Sequence, residues 1–150
     1  MVAYRLPSNT REGAILKGQR DVLLATPRAR DLPGGHPGPG GRMHMRIAGA
    51  GGAPERHLPK ARVVFTARVS FSVDGVVRIL HHETAHPGTV EGVHALLAQA
   101  EQGSPGGRAI AADAFARRAG FDDYAAQWRS IASSRADVVT RVVLAWEALS

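Results

Sequence analysis

Apolar and polar side chains alternate most regularly from Ala61 to Val73. There Val63, Phe65, Ala67, Val69, Phe71 and Val73 interleave with Arg62, Val64, Thr66, Arg68, Ser70 and Ser72. A period of two places one set on each face of a strand, so this stretch predicts a long strand with one apolar side. Asp74-Gly75 is a strong turn pair, and Val76 to Leu80 predicts the returning strand of a β-hairpin. The same period recurs from Arg42 to Ala48. Met43, Met45 and Ile47 lie on one side there, with Arg42, His44 and Arg46 on the other, which predicts a half-buried strand with a cationic stripe. Val2 to Leu6, the apolar run within Asp21 to Ala25, and Val138 to Trp146 complete the strand signals.

Helical spacing appears between them. Ser8, Asn9 and Thr10 are cap-type residues ahead of Glu12, Ala14, Ile15 and Leu16, which predicts a short helix from about Thr10 to Lys17. Val93, Leu96, Leu97 and Ala100 predict a helix over 90–100, broken at Gly103 to Gly107. Ile110 to Arg118 predicts another, stopped by Gly120. A last helix follows with Asp122 as its cap and Phe121, Tyr124, Ala125, Trp128 and Ile131 on one sticky face. Pro27 to Gly41 carries four of the nine prolines and a run of glycines and predicts a loop. Strands at both ends with helices inserted between them predict one α+β domain over 1–150, built on a closed or nearly closed mixed sheet. The loop at about 27–41 and a loop-helix insertion at about 86–107 decorate it.

Composition narrows the chemistry. The chain has 150 residues and no cysteine, which excludes disulfides, thiolate metal sites and a cysteine nucleophile. That absence fits a reducing compartment, so a cytoplasmic location is expected. The first twenty residues show no leader pattern, and no run approaches the roughly 18 apolar residues of a membrane helix, so no membrane partner is expected. Charge is uneven. Residues 1–80 hold 13 basic and 5 acidic side chains, whereas 81–150 hold 6 and 8. A basic half beside a mildly acidic one suits a face that binds a polyanion. Only Lys17 and Lys60 are lysines, however, and an Arg-, Ala- and Gly-rich composition also follows from GC-rich coding alone.

Several stretches together point to a family. "MVAYRLPSNTREGAILKGQRDVLL", "PGGRMHMRIAG", "DAFARRAGFDDYAAQW" and "VVTRVVLAWEAL" occur in the order of comparable elements in ASCH-domain proteins of the PUA-like superfamily, which the chain resembles over most of its length. The resemblance implies an α+β fold, a small mixed or antiparallel β-barrel flanked by three to four helices, with a cleft beside a Gly-x-Lys element. It also implies RNA binding, and for some members hydrolysis of RNA or of modified nucleosides. Here Arg20 stands where the family has lysine, and Leu23 and Ala25 stand where many members have threonine and arginine. An arginine can hold phosphate but cannot shuttle a proton as a neutral amine does.

The candidate nucleic-acid-binding residues are Lys17, Arg20, Arg28, Arg30, Arg42 and Arg46, because a guanidinium fork matches phosphate oxygens and stacks on bases. RNA is the expected partner. His44 and Tyr4 offer rings for base stacking, although either is more often structural. Asp21 is the candidate general base of the hydrolase alternative, against a plainer role as a strand-entry residue paired with Arg20. His82-Glu83-Thr84-Ala85-His86 reads H-E-x-x-H, the zinc peptidase pattern, which needs one continuous helix to aim both rings at a metal. It follows a strand, and Pro87 disfavours helix at His86, so a histidine-rich loop is the expected structure. No cofactor is expected; a divalent metal at His82 and His86 is the alternative. Trp128 and Trp146 sit on apolar faces and read as core.

Overall fold

A computed structural model of the chain describes residues 2–27, 36–84 and 91–149. Among these residues seven strands and four helices follow the order β1 (Val2–Leu6), α1 (Glu12–Leu16), β2 (Val22–Ala25), β3 (Arg42–Ile47), β4 (Arg56–His57), β5 (Ala61–Ser72), β6 (Val77–Thr84), α2 (Glu91–Gln102), α3 (Pro105–Arg118), α4 (Tyr124–Ile131) and β7 (Val138–Ala148). The fold is α+β, as the alternation of patterns predicts.

All seven strands belong to one mixed sheet. Its path runs β1-β3-β5-β7-β2, with β4 added to β3 and β6 added to β5. β1 and β3 are parallel and the other pairs antiparallel. Among the described residues no ladder joins β1 to β2, so the path is open where closure into a small barrel was expected. The sheet nevertheless curls. Leu6 of β1 and Leu23 and Ala25 of β2 share one buried cluster with Met43, Ile47, Val63 and Trp146, so the two end strands face a common core.

The other face carries the helices. Val93 and Leu97 of α2 and Ala112 and Phe115 of α3 pack with Phe65, Val69 and Phe71 of β5 into a second cluster. β7 serves both: Val143 and Ala145 point to the helices, Leu144 and Trp146 to the curl. Trp146 is buried in the curl, as its spacing predicts, whereas Trp128 is partly buried and packs against the edge of the helical cluster. Among the described residues one polar side chain is fully enclosed: Gln127 of α4, whose amide atoms meet no hydrogen-bonding group there.

Element ends differ from expectation in instructive ways. α1 starts at Glu12 behind Arg11, with no side-chain cap, so Ser8 to Thr10 are not its cap. The break expected over Gly103 to Gly107 is confined to Gly103 and Ser104. Ser104 accepts a hydrogen bond from the Gly107 amide at 3.2 Å and Pro105 opens α3. A serine cap with proline in the first turn outweighs two glycines, because that turn needs no internal donor. Asp123, rather than Asp122, caps α4, accepting from the Ala126 amide at 2.8 Å. Strand β6 runs past Leu80 to Thr84, so His81 to Thr84 form strand where a loop was expected. The cause is β5, which is long enough to pair with them: Ala67 faces His82 and Arg68 faces His81. The two-residue strand β4 has no counterpart among the predicted elements.

Candidate nucleic-acid interface

Strand β3 builds its outward side as its alternation predicts. Met43, Met45 and Ile47 are buried in the curl, which turns Arg42, His44 and Arg46 away from it. Pairing then adds neighbours to that side. Arg5 of β1 lies beside Arg46, His57 of β4 beside Arg46, and Arg62 of β5 beside Arg42. Glu147 of β7 is the next cross-strand residue after Arg62. Four arginines and two histidines thus share one outward sheet face with Glu55 and Glu147.

The carboxylates temper this charge without consuming it. Glu55 bridges Arg5 at 3.1 Å and Arg46 at 3.4 Å, and Arg62 pairs with Glu147. Pairs this exposed are worth about 0–1 kcal/mol each, so a phosphate can take over any of these three arginines at little cost. Among the described residues Arg42 has no ion-pair partner. Between the arginines, the His44 and His57 rings lie with centroids 5.1 Å apart and planes 12° apart. Tyr4, the other expected stacking ring, is instead half-buried against the curl, with its hydroxyl 2.8 Å from His36 Nδ1.

The remaining expected residues do not join this face. Lys17 is exposed just after α1, and Arg20 precedes β2, which two strands separate from β3 along the sheet path. The stem of Arg20 lies across Gly120, where a Cβ would stand 2.9 Å from its Cδ and Nε. Burial lowers the Arg20 pKa from its ordinary value, yet the guanidinium stays charged. Its Nε is enclosed with no partner, so part of its fork is turned into the protein. Gly120 also has φ +92°, so the close approach and the backbone both require glycine. Arg28 and Arg30 lie outside the described residues.

Asp21 does not pair with Arg20. Both its oxygens are taken by Arg118 of α3, Oδ1 accepting from Nε at 3.0 Å and Oδ2 from Nη2. The Arg118 guanidinium lies against Gly92 of α2, so one ion pair ties β2 to two helices. This is a structural clamp. Asp21→Ala would leave a guanidinium that is only 33% exposed without its carboxylate. The expected cost is about 1–3 kcal/mol, read as a lower urea midpoint. Adding Arg118→Met should restore part of it, and a catalytic-only Asp21 would leave the midpoint unmoved.

His82 and Glu83 belong to an extended strand, so the H-E-x-x-H spacing does not have the helical geometry that zinc peptidases use. The His82 ring lies 4.5 Å from that of His94 on α2, and both lie over Phe65. His86 lies outside the described residues. Among the described residues no group of three or more histidines and carboxylates is placed to hold a metal ion. A cleft of about 280 Å³ opens elsewhere, between the β5–β6 turn, α2 and α3, lined in part by Asp74, Glu101, Arg108 and Asp113. Its surplus of carboxylates makes it a poor seat for phosphate. Arg68 and Arg78 form a further cationic pair on β5 and β6, on the face of the sheet that bears Ser70 and Thr140.

Of the interface residues, Arg5, His57 and Arg62 were not among the expected ones. Arg5 and Arg62 carry a usable signal, since each alternates with buried neighbours. His57 carries none, because a two-residue strand has no period. No family model, curated protein or solved structure matches the chain. No helix among the described residues is long and apolar enough to cross a membrane.

Proposed function

We propose that this chain binds RNA, as an ASCH-type, PUA-like domain, through the outward face of β3 and its neighbours. One observation carries the reading: Arg5, Arg42, Arg46 and Arg62 lie together on one side of β1, β3 and β5 around the paired rings of His44 and His57. Guanidinium groups supply phosphate contacts, and exposed rings give unstacked bases a surface, the combination that single-strand readers use. The reading takes the curled sheet as the family's barrel, with its seam between β1 and β2. That both strands pack on one apolar cluster supports this. Hydrolysis at the Lys17–Asp21 turn draws no support, because Arg118 holds Asp21.

Fluorescence anisotropy with a labelled single-stranded RNA at 50 and 200 mM salt tests the proposal. Four neutralised phosphates give a slope of about −2.8 in log affinity against log salt, roughly a fifty-fold loss across that range. Binding that ignores salt would refute it.

A further inference from the structure

We infer that His44 and His57 form a two-histidine site for a divalent first-row transition ion on the outer face of β3 and β4. This stands apart from the RNA reading, since it rests only on where two nitrogen atoms lie. His57 Nδ1 and His44 Nε2 are 3.3 Å apart and the ring centroids 5.1 Å apart. Two imidazole nitrogens bound to one ion at about 2.0–2.1 Å, at a tetrahedral angle, stand roughly 3.3–3.4 Å from each other. The centre of an imidazole lies about 1.1 Å behind its nitrogen, so the two rings of such a complex are centred roughly 5.2 Å apart. Both spacings agree with those of the pair.

The backbone holds this geometry in the metal-free chain. Arg46 faces His57 across the β3–β4 ladder, and the Leu58 amide donates to the Met45 carbonyl at 3.0 Å. His44 is therefore a diagonal cross-strand neighbour of His57, at the reach of two rings. Both rings are open to solvent at least in part. Without metal the nitrogens share one hydrogen, the N–H of one ring donating to the other. On binding, the donor ring shifts its proton through solvent to its other nitrogen. Each ring then coordinates through its facing nitrogen and carries its hydrogen on the other, His44 Nδ1 and His57 Nε2.

Imidazole ligands favour copper and zinc among the available divalent ions, copper the more strongly. Water completes the coordination, so the site is exchangeable rather than a structural staple. The nearby charges are Arg42, Arg46 and Arg5, with Glu55 lying against the latter two. Their positive balance weakens binding but leaves the two nitrogens free to converge.

The test titrates the metal-free chain with Cu²⁺ alone, followed by calorimetry and by the nitrogen splitting of its electron paramagnetic resonance spectrum. The wild type should take up one ion at a two-nitrogen site near neutral pH. His44→Ala and His57→Ala should each lower affinity at least tenfold, while His82→Ala, which disrupts the close pair of His82 and His94, should leave it unchanged. His57 and His82 are exposed and His44 is partly exposed, so circular dichroism should show all three variants folded. Absence of binding, affinity retained in either of the first two variants, or affinity lost in the third would each overturn the assignment.

Discussion

Phe71→Ala should cost the fold about 3–5 kcal/mol, the usual toll for emptying the space of a buried phenylalanine. Phe71 is wholly buried near the end of β5. Its ring centre lies 6.0 Å from that of Phe115 on α3 and 6.3 Å from that of Tyr124 on α4. Tyr124 is itself fixed: its hydroxyl donates to the Ser72 carbonyl at 2.5 Å, and burial pushes its pKa up to about 12. With two helices pinned around it, the site collapses poorly onto a smaller side chain, and the cost rises with the cavity that remains. Natural domains have only about 5–15 kcal/mol in hand, so the variant should be partly unfolded at modest urea. Chemical denaturation followed by tryptophan fluorescence measures the loss. Leu16→Ala, at a site 58% exposed, is the control and should move stability by no more than about 0.5 kcal/mol. A Phe71→Ala loss as small as the control's would mean that α3 and α4 do not clamp the ring.

Arg42→Ala together with Arg46→Ala should weaken RNA binding by about ten- to twenty-fold at physiological salt. The figure follows from removing two phosphate contacts, each contributing about −0.7 to the salt slope, which should flatten from roughly −2.8 to −1.4. The fold should survive. Arg42 is exposed and Arg46 contributes a surface ion pair with Glu55, worth at most about 1 kcal/mol. The decisive comparison is Arg68→Ala with Arg78→Ala, which removes the same charge from β5 and β6. Equal losses in the two double variants would mean that net charge alone attracts RNA. A larger loss in the second would place the interface on the opposite face of the sheet.

Much of this architecture is legible in the residue pattern, and the legible part has a common character. The inward set of β3 and the turn at Asp74-Gly75 are local properties of the chain, and so is the alternation of β5 from Phe65 on. An irregularity at Val64 puts Val63 on the curl side and Phe65 on the helix side, so the single apolar face expected from Ala61 to Val73 is broken there and Arg62 and Arg68 lie on opposite faces. The local properties depend only on which side of a strand each residue occupies and on the turn that glycine permits. Gly75, with φ +84°, provides that turn. The arginine stripe of β3 is legible for the same reason: it is the complement of Met43, Met45 and Ile47. What is not legible involves competition between local signals and distant partners. Gly106 and Gly107 look like breakers until Ser104 and Pro105 are seen to start a helix over them. His81 and His82 look like loop until the length of β5 supplies them with a ladder.

The candidate site divides along the same line. Its charge and its facing are written in the order of residues, since alternation alone turns Arg42, His44 and Arg46 away from the apolar side. Its membership is not. That Arg5 meets Arg46, that Arg62 meets Arg42, that His57 reaches His44, and that Asp21 is held by Arg118 rather than by Arg20 all follow from strand order and helix placement. Those depend on hydrogen bonds and burial between residues from 13 to 97 positions apart. A periodicity spans only adjacent residues. Contacts across such separations are chosen by which closures bury the most apolar surface, and only the folded chain reveals that choice.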